Sequence, residues 1–239
     1  MSFSIVFQKL LVSTMNTISH PHVLMISEIT ADGKLTLGRG ISSKILMRHM
    51  SHEAELLLHK TRAEYDAIMV GSSTIRIDNS FLTVRMVEGK NPVRVIPNAK
   101  ADLDENANVF DTSLAKTILA VSEEAPAERI AVFEAKGVDV VVAGRQHVEY
   151  PRLMEILATR YGIKSLIVEG GPTLNRYMLN AKLVDEIRLI HMPFIVGGDD
   201  TPSLVGGMRI GSENEMIRLK LKGTAMYGEN LVTEYDVIY

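Results

Sequence analysis

Residues 163–173, reading IKSLIVEGGPT, constrain the fold of this chain more than any other stretch. Ile163, Leu166, Ile167 and Val168 form a short branched apolar run, the pattern of a buried strand rather than an amphipathic helix. The run ends at Glu169 and two glycines, and Pro172 then occupies the first position of a new helix. A helix starting there directs its unpaired N–H groups and positive dipole end at the space above the strand. Gly170 and Gly171 leave that space free of side chains, so an anionic, nucleotide-like group can approach the donors. Glu169 borders the same space and can accept hydrogen bonds from hydroxyl or amino groups. Glycine pairs also occur in βα turns for geometry alone.

The remainder follows the same alternation. Strands are expected at 21–29, 66–71, 91–96, 116–121 and 137–143, and helices at 127–136, 151–161 and 174–180. Ser42 or Ser43 is expected to cap a helix running to about Arg62. Residues 72–78 follow Gly71 with small hydroxyl residues, a second place where a strand end meets a helix start. The stretch 99–113 is turn-rich, with at most a short strand. Beyond Asn180 the pattern turns strand-like at 184–194, 215–222 and 231–239, with glycine pairs between. The expected fold class is therefore α/β: a mixed, mostly parallel sheet flanked by helices, with antiparallel strands at the C-terminal end. One domain is expected over 21–239, preceded by an N-terminal arm over 1–20 that packs on it or on a second subunit.

Bulk properties exclude several functions. The formal net charge is −3 and the pI about 6.2, which argues against a nucleic-acid surface. No apolar run is long enough to cross a bilayer, and residues 1–20 lack a signal-peptide pattern. With no cysteine in 239 residues, disulfides, thiolate catalysis and cysteine-bearing zinc sites are excluded. A cytoplasmic location suits that composition. His49, His52 and His59 share a broad helical face, but no carboxylate motif supports them, and no metal is expected. Glu28, near the end of an apolar strand, is tolerable there only if it faces a polar cavity.

Several pieces occur in a specific order: Asp32-Gly33-Lys34, Thr61-Arg62-Ala63, 66–71 (DAIMVG), Thr74 with Asp78, 82–85 (LTVR), 91–94 (NPVR), 169–174 (EGGPTL), 183–186 (LVDE) and Pro193 with Gly197-Gly198. Together they resemble the riboflavin-biosynthesis reductase family, over about Pro21 to the C-terminus. The resemblance implies a dihydrofolate-reductase-like fold and an NADPH-dependent reductase of a pyrimidine ribosylamine 5′-phosphate. Hydride would reach C1′ of the opened sugar and give a ribitylamino product. It further implies that Ile29, Thr74, Asp78, Val142 and Gly170, Gly171, Pro172 and Thr173 hold the cofactor, with Arg145 near its 2′-phosphate. Arg62, Leu82, Arg85 and Glu169 would contact the substrate, the arginines as phosphate ligands. A homodimer is implied as well.

The chain departs from the family pattern at Ile26, where Lys or Asn is usual, at Glu28, where a small or apolar residue is usual, and at Pro97-Asn98. The resemblance is to the stand-alone archaeal and fungal reductases rather than to bacterial members with a fused zinc deaminase. Ile26 and Glu28 leave open a sister reductase acting on a dihydropterin or another pyrimidine. A non-catalytic nucleotide-binding module is the reading from a different class.

Overall fold

The structure, a computed structural model, describes residues 20–239. The arm expected over 1–20 thus lies outside the described residues except for His20. The strands are β1 (His22–Thr30), β2 (Ala67–Met69), β3 (Val93–Pro97), β4 (Thr117–Val121), β5 (Asp139–Val142), β6 (Ser165–Val168), β7 (Glu186–Met192), β8 (Arg218–Tyr227) and β9 (Asn230–Ile238). The helices are α1 (Lys44–Met47), α2 (His52–Glu64), α3 (Ser72–Asp78), α4 (Ala127–Ala135), α5 (Tyr150–Tyr161) and α6 (Pro172–Asn180). All nine strands join one sheet in the order β5-β4-β3-β2-β6-β1-β7-β9-β8. β1 to β7 pair in parallel, and β9 joins both β7 and β8 antiparallel. The α/β class and the antiparallel closure agree with the sequence expectation.

The central strands are apolar throughout because helices cover both faces of the sheet. Side chains alternate between two cores. Met25, Met69 and Val168 meet Leu153, Leu157, Leu174 and Met178 of α5 and α6. Ile26, Ile68 and Ile167 meet Leu58 of α2, Ile75 of α3 and Phe133 of α4.

The sequence-based helix from Ser42 or Ser43 to Arg62 is corrected by the structure. The chain forms only α1 there, runs extended at Ser51, and restarts as α2. Ser51 caps α2 by accepting from the Ala54 N–H at 3.3 Å. The same residue is tied to the β8–β9 hairpin: its N–H donates to Asn230 at 2.8 Å and its hydroxyl to the Tyr227 carbonyl at 2.6 Å. These distant partners override the local helical pattern. The strand expected at 215–222 begins at Arg218 and continues to Tyr227, crossing Gly223 through a register shift. The stretch 99–113 carries a 3-10 turn, Asn108–Phe110, and no strand. Among the described residues no helix is long and apolar enough to cross a membrane.

Candidate active site

β2 and β6 are parallel neighbours, yet the helices that follow them leave on opposite faces of the sheet. α3 packs with the α2/α4 core and α6 with the α5 core. Between two such strands the covering layers part, and the crevice opens at the carboxyl ends. The cleft found there has a volume of about 380 Å³. Its walls include Gly71 to Thr74, Asp78, Glu169 to Leu174, Ser27, Glu28, the loop around Arg39, and Tyr150 and Tyr177.

The floor is glycine. Gly170 adopts φ +88°, a conformation that favours glycine, and its peptide to Gly171 is cis. The Gly71 N–H donates to the Gly170 carbonyl at 2.8 Å, which locks the two strand ends together. Gly171 N–H donates to the Thr74 hydroxyl at 3.2 Å, and a Cβ on Gly171 would stand 3.2 Å from that oxygen. Neither α3 nor α6 has a side-chain cap, because Gly71 and Gly171 occupy the N-cap positions. Asp78 accepts from the Ser43 hydroxyl at 2.9 Å through Oδ2, while its buried Oδ1 has no partner.

At the inner end of the cleft two acids and an arginine meet. Glu169 lies just past β6, its N–H donating to the Met69 carbonyl at 3.0 Å. Its carboxylate accepts from Nε and Nη2 of Arg62, each at 2.7 Å, and Arg62 Nη1 donates to the Thr83 carbonyl at 3.3 Å. These side chains are only 7% (Arg62) and 12% (Glu169) exposed. A fork-to-fork pair so enclosed fixes both groups. Met25 pairs with Val168, the last residue of β6. β1 therefore runs on past the turn at Gly170 and presents Glu28 to the cleft. Burial, and then the charge of Glu169, push the Glu28 carboxyl up to about 7, against a smaller opposite effect of Arg62. His59, on α2, accepts the Arg85 N–H at 3.2 Å. Burial and the charges of Arg62 and Arg85 push its ring down to about 4.

The residues singled out in the sequence divide into two groups. Thr74, Asp78, Glu169, Gly170, Gly171, Pro172 and Thr173 all line the cleft. Arg62 stands behind it, committed to Glu169 and Thr83 rather than turned outward as a phosphate ligand. Ile29 and Leu82 are buried in the two cores, and Leu82 adopts φ +54°. Arg85 is exposed, its guanidinium bonding Thr83 Oγ1 at 3.2 Å. Val142 and the exposed Arg145 lie outside the cleft lining. Val142 belongs to β5, four strands from β6 in the sheet order, or roughly 19 Å at the usual strand spacing. Among the described residues no group of three or more His, Cys, Asp or Glu is gathered as a metal would need. His49 packs instead edge-on against Phe194, with ring centroids 5.3 Å apart.

Sequence reasoning missed Arg39, Ser43 and the stacked pair Tyr150–Tyr177, whose centroids are 5.5 Å apart. For Arg39 the available signal was its setting, Gly38-Arg39-Gly40. The tyrosines carried none, since they come from separate helices.

Residues 21–233 match the family described as the RibD C-terminal domain. The chain belongs to that family. Two similar proteins are both named 2,5-diamino-6-ribosylamino-4(3H)-pyrimidinone 5′-phosphate reductase. The one from Aquifex aeolicus is 47% identical over 91% of this chain and 97% of its own length. The one from Methanothermobacter thermautotrophicus is 41% identical over 91% and 98%. Solved structures show the RibD-type fold as well. The deaminase/reductase of Thermotoga maritima superimposes with a TM-score of 0.73 at 24% identity, over 91% of this chain and 56% of that longer one. The riboflavin biosynthesis reductase Rib7 of Saccharomyces cerevisiae gives 0.68 at 22% identity, over 95% and 94%.

Proposed function

We propose that this member of the RibD C-terminal domain family reduces a pyrimidine ribosylamine 5′-phosphate at C1′, using NADPH, to the ribitylamino product of riboflavin biosynthesis. The observation that carries the reading is the cleft itself, a crevice of about 380 Å³ between two glycine-rich strand ends that reaches Glu28 and the enclosed Glu169–Arg62 pair. It stands beside two reductases that share more than 40% of their residues with this chain.

The residues present fit a dinucleotide. A Cβ at Gly171 would press on the Thr74 hydroxyl at 3.2 Å, and the buried Asp78 Oδ1 is an acceptor without a donor. Gly170, Gly171, Pro172 and Thr173 would hold phosphate at the start of α6, while Thr74 and Asp78 would hold ribose or amide groups. When bound, the reduced nicotinamide supplies a hydride. The chain must place the sugar carbon against it and keep water out. Glu169, held rigidly by Arg62, is suited to accept from an amino or hydroxyl group of the substrate. Arg39, on the loop over the cleft, is suited to its phosphate.

A cytoplasmic homodimer completes the proposal. β8 is an edge strand exposing Leu219, Leu221 and Met226 at 44%, 56% and 62%. Such an edge is stable when covered by a second copy. Light scattering at micromolar concentration would read a mass near twice that of one chain; a monomer would contradict this part.

Oxidation of NADPH followed by its absorbance, with the ribosylamine phosphate and separately with a dihydropterin, tests the activity. The ribosylamine alone should be reduced. Pterin reduction without ribosylamine turnover would move the chain to a sister activity, and nicotinamide fluorescence unchanged on titration with the protein would favour a non-catalytic module.

A further inference from the structure

The reduction consumes one proton as well as one hydride, and the cleft contains a group placed to provide it. Arg62 spends Nε and Nη2 on Glu169 and Nη1 on Thr83. Glu28, on the neighbouring strand, receives no side-chain donor among the described residues, although it sits in the same cleft wall. One buried guanidinium can neutralise one carboxylate. Glu169 holds that position, with two bonds, so a proton is the cheapest way to neutralise the second acid.

We propose that Glu28 is the acid that protonates the sugar ring oxygen as the ribosylamine opens. The proposal rests on the reduction described above. In the step, the amine nitrogen's lone pair forms the C1′=N bond while the C1′–O4′ bond breaks. The Glu28 proton passes to O4′, which becomes the 4′-hydroxyl. The substrate is then an iminium cation flanked by two carboxylates, Glu28 and Glu169, in a site with little water. A bound reduced nicotinamide would supply the hydride for the new C1′–H bond, whose electron pair would cancel the iminium charge. Solvent returns a proton to Glu28, so one proton and one hydride are consumed in total.

The charged neighbours are consistent with this assignment. Arg62 on α2 and Glu169 at the end of β6 act on Glu28 directly, and its β7 neighbour Ile190 is apolar. Asp78 on α3 is engaged by Ser43, and Arg39 lies on the loop across the cleft. His59 is not a rival source, because it is neutral at working pH.

The test compares the full-length chain with Glu28→Gln and Glu28→Asp between pH 5 and 9. The readouts are kcat/KM, NADPH affinity, and the carboxyl stretch of the ligand-free protein in ¹³C-glutamate infrared difference spectra. The wild type should lose activity above about pH 7, with a carboxyl band vanishing over the same range. Glu28→Gln should lose about 100-fold in kcat, lack both the pH limb and the band, and bind NADPH within about twofold of wild type. Glu28→Asp should recover part of the rate together with a shifted limb. A Glu28→Gln enzyme that keeps the wild-type rate and pH limb overturns the role of Glu28 and leaves the reductase intact. A wild-type chain that reduces no ribosylamine overturns the reductase and this step with it.

Discussion

Two arginines are buried among the described residues, and their surroundings separate function from architecture. Arg94, in β3, is fully buried and donates only to main-chain carbonyls. Nη1 reaches Phe81 at 3.4 Å and Asn108 at 3.3 Å, and Nη2 reaches Asp111 at 2.7 Å and Ala115 at 2.5 Å. It fastens the long loop 99–115 to the sheet. Arg62, behind the wall of a cleft, donates to a carboxylate that lines it, near a second acid. Burial of a charge is common to both sites. A titratable partner and an opening to a ligand belong to one.

The comparison breaks if Arg94→Met behaves like a site variant. Removing it leaves four carbonyls without their donor, which should lower the unfolding free energy by about 3–4 kcal/mol in urea melts. The folded fraction should keep wild-type kcat. Glu169→Ala acts in the opposite sense. We expect a fall of about 100-fold in turnover, with NADPH affinity changed little, because the carboxylate faces the substrate end of the cleft. Equal loss of turnover and cofactor binding would remove that role.

Glu28 sharpens the contrast through pH. Its folded-state value of about 7 lies above the ordinary 4.5. The native state therefore holds a proton that the unfolded chain releases. The stabilisation is complete below the unfolded value and is lost as pH rises through about 7. Glu28→Gln should remove that slope, raising stability at pH 8 relative to wild type by on the order of 2–3 kcal/mol. Parallel stability profiles in the two proteins would mean that Glu28 is ionised throughout. Gly171→Ala should weaken NADPH binding about tenfold, since the added methyl presses on Thr74 at the phosphate cradle. Val142→Ala, out on β5, should change that affinity by less than about twofold in the same fluorescence titration.

The distribution of these effects follows what was legible in the sequence. The strand–turn–helix at 163–173 was readable because every signal in it is local: an apolar run, a glycine pair and a helix-initiating proline. The turn at Asp32-Gly33 was likewise readable. Gly33 adopts φ +77°, and Asp32 accepts the Gly197 N–H at 2.7 Å. Glu28 was marked by its own discomfort in an apolar strand. The break between α1 and α2 was not readable, because Ser51 is held by Tyr227 and Asn230 across the fold. The Arg62–Glu169 pair joins residues 107 positions apart, so no periodicity could reveal that Arg62 was already occupied. Val142 and Leu82, given ligand contacts by the resemblance, are not among the residues that line the cleft, and nothing local in the sequence marks that.

A crystal of the chain with NADPH and a ribosylamine phosphate analogue tests the central claim most directly. The account predicts dinucleotide density between the starts of α3 and α6, its nicotinamide ring facing Glu169 and Glu28 with the sugar carbon between them. Density for the dinucleotide at any other surface, or a sugar carbon remote from both carboxylates, would contradict it.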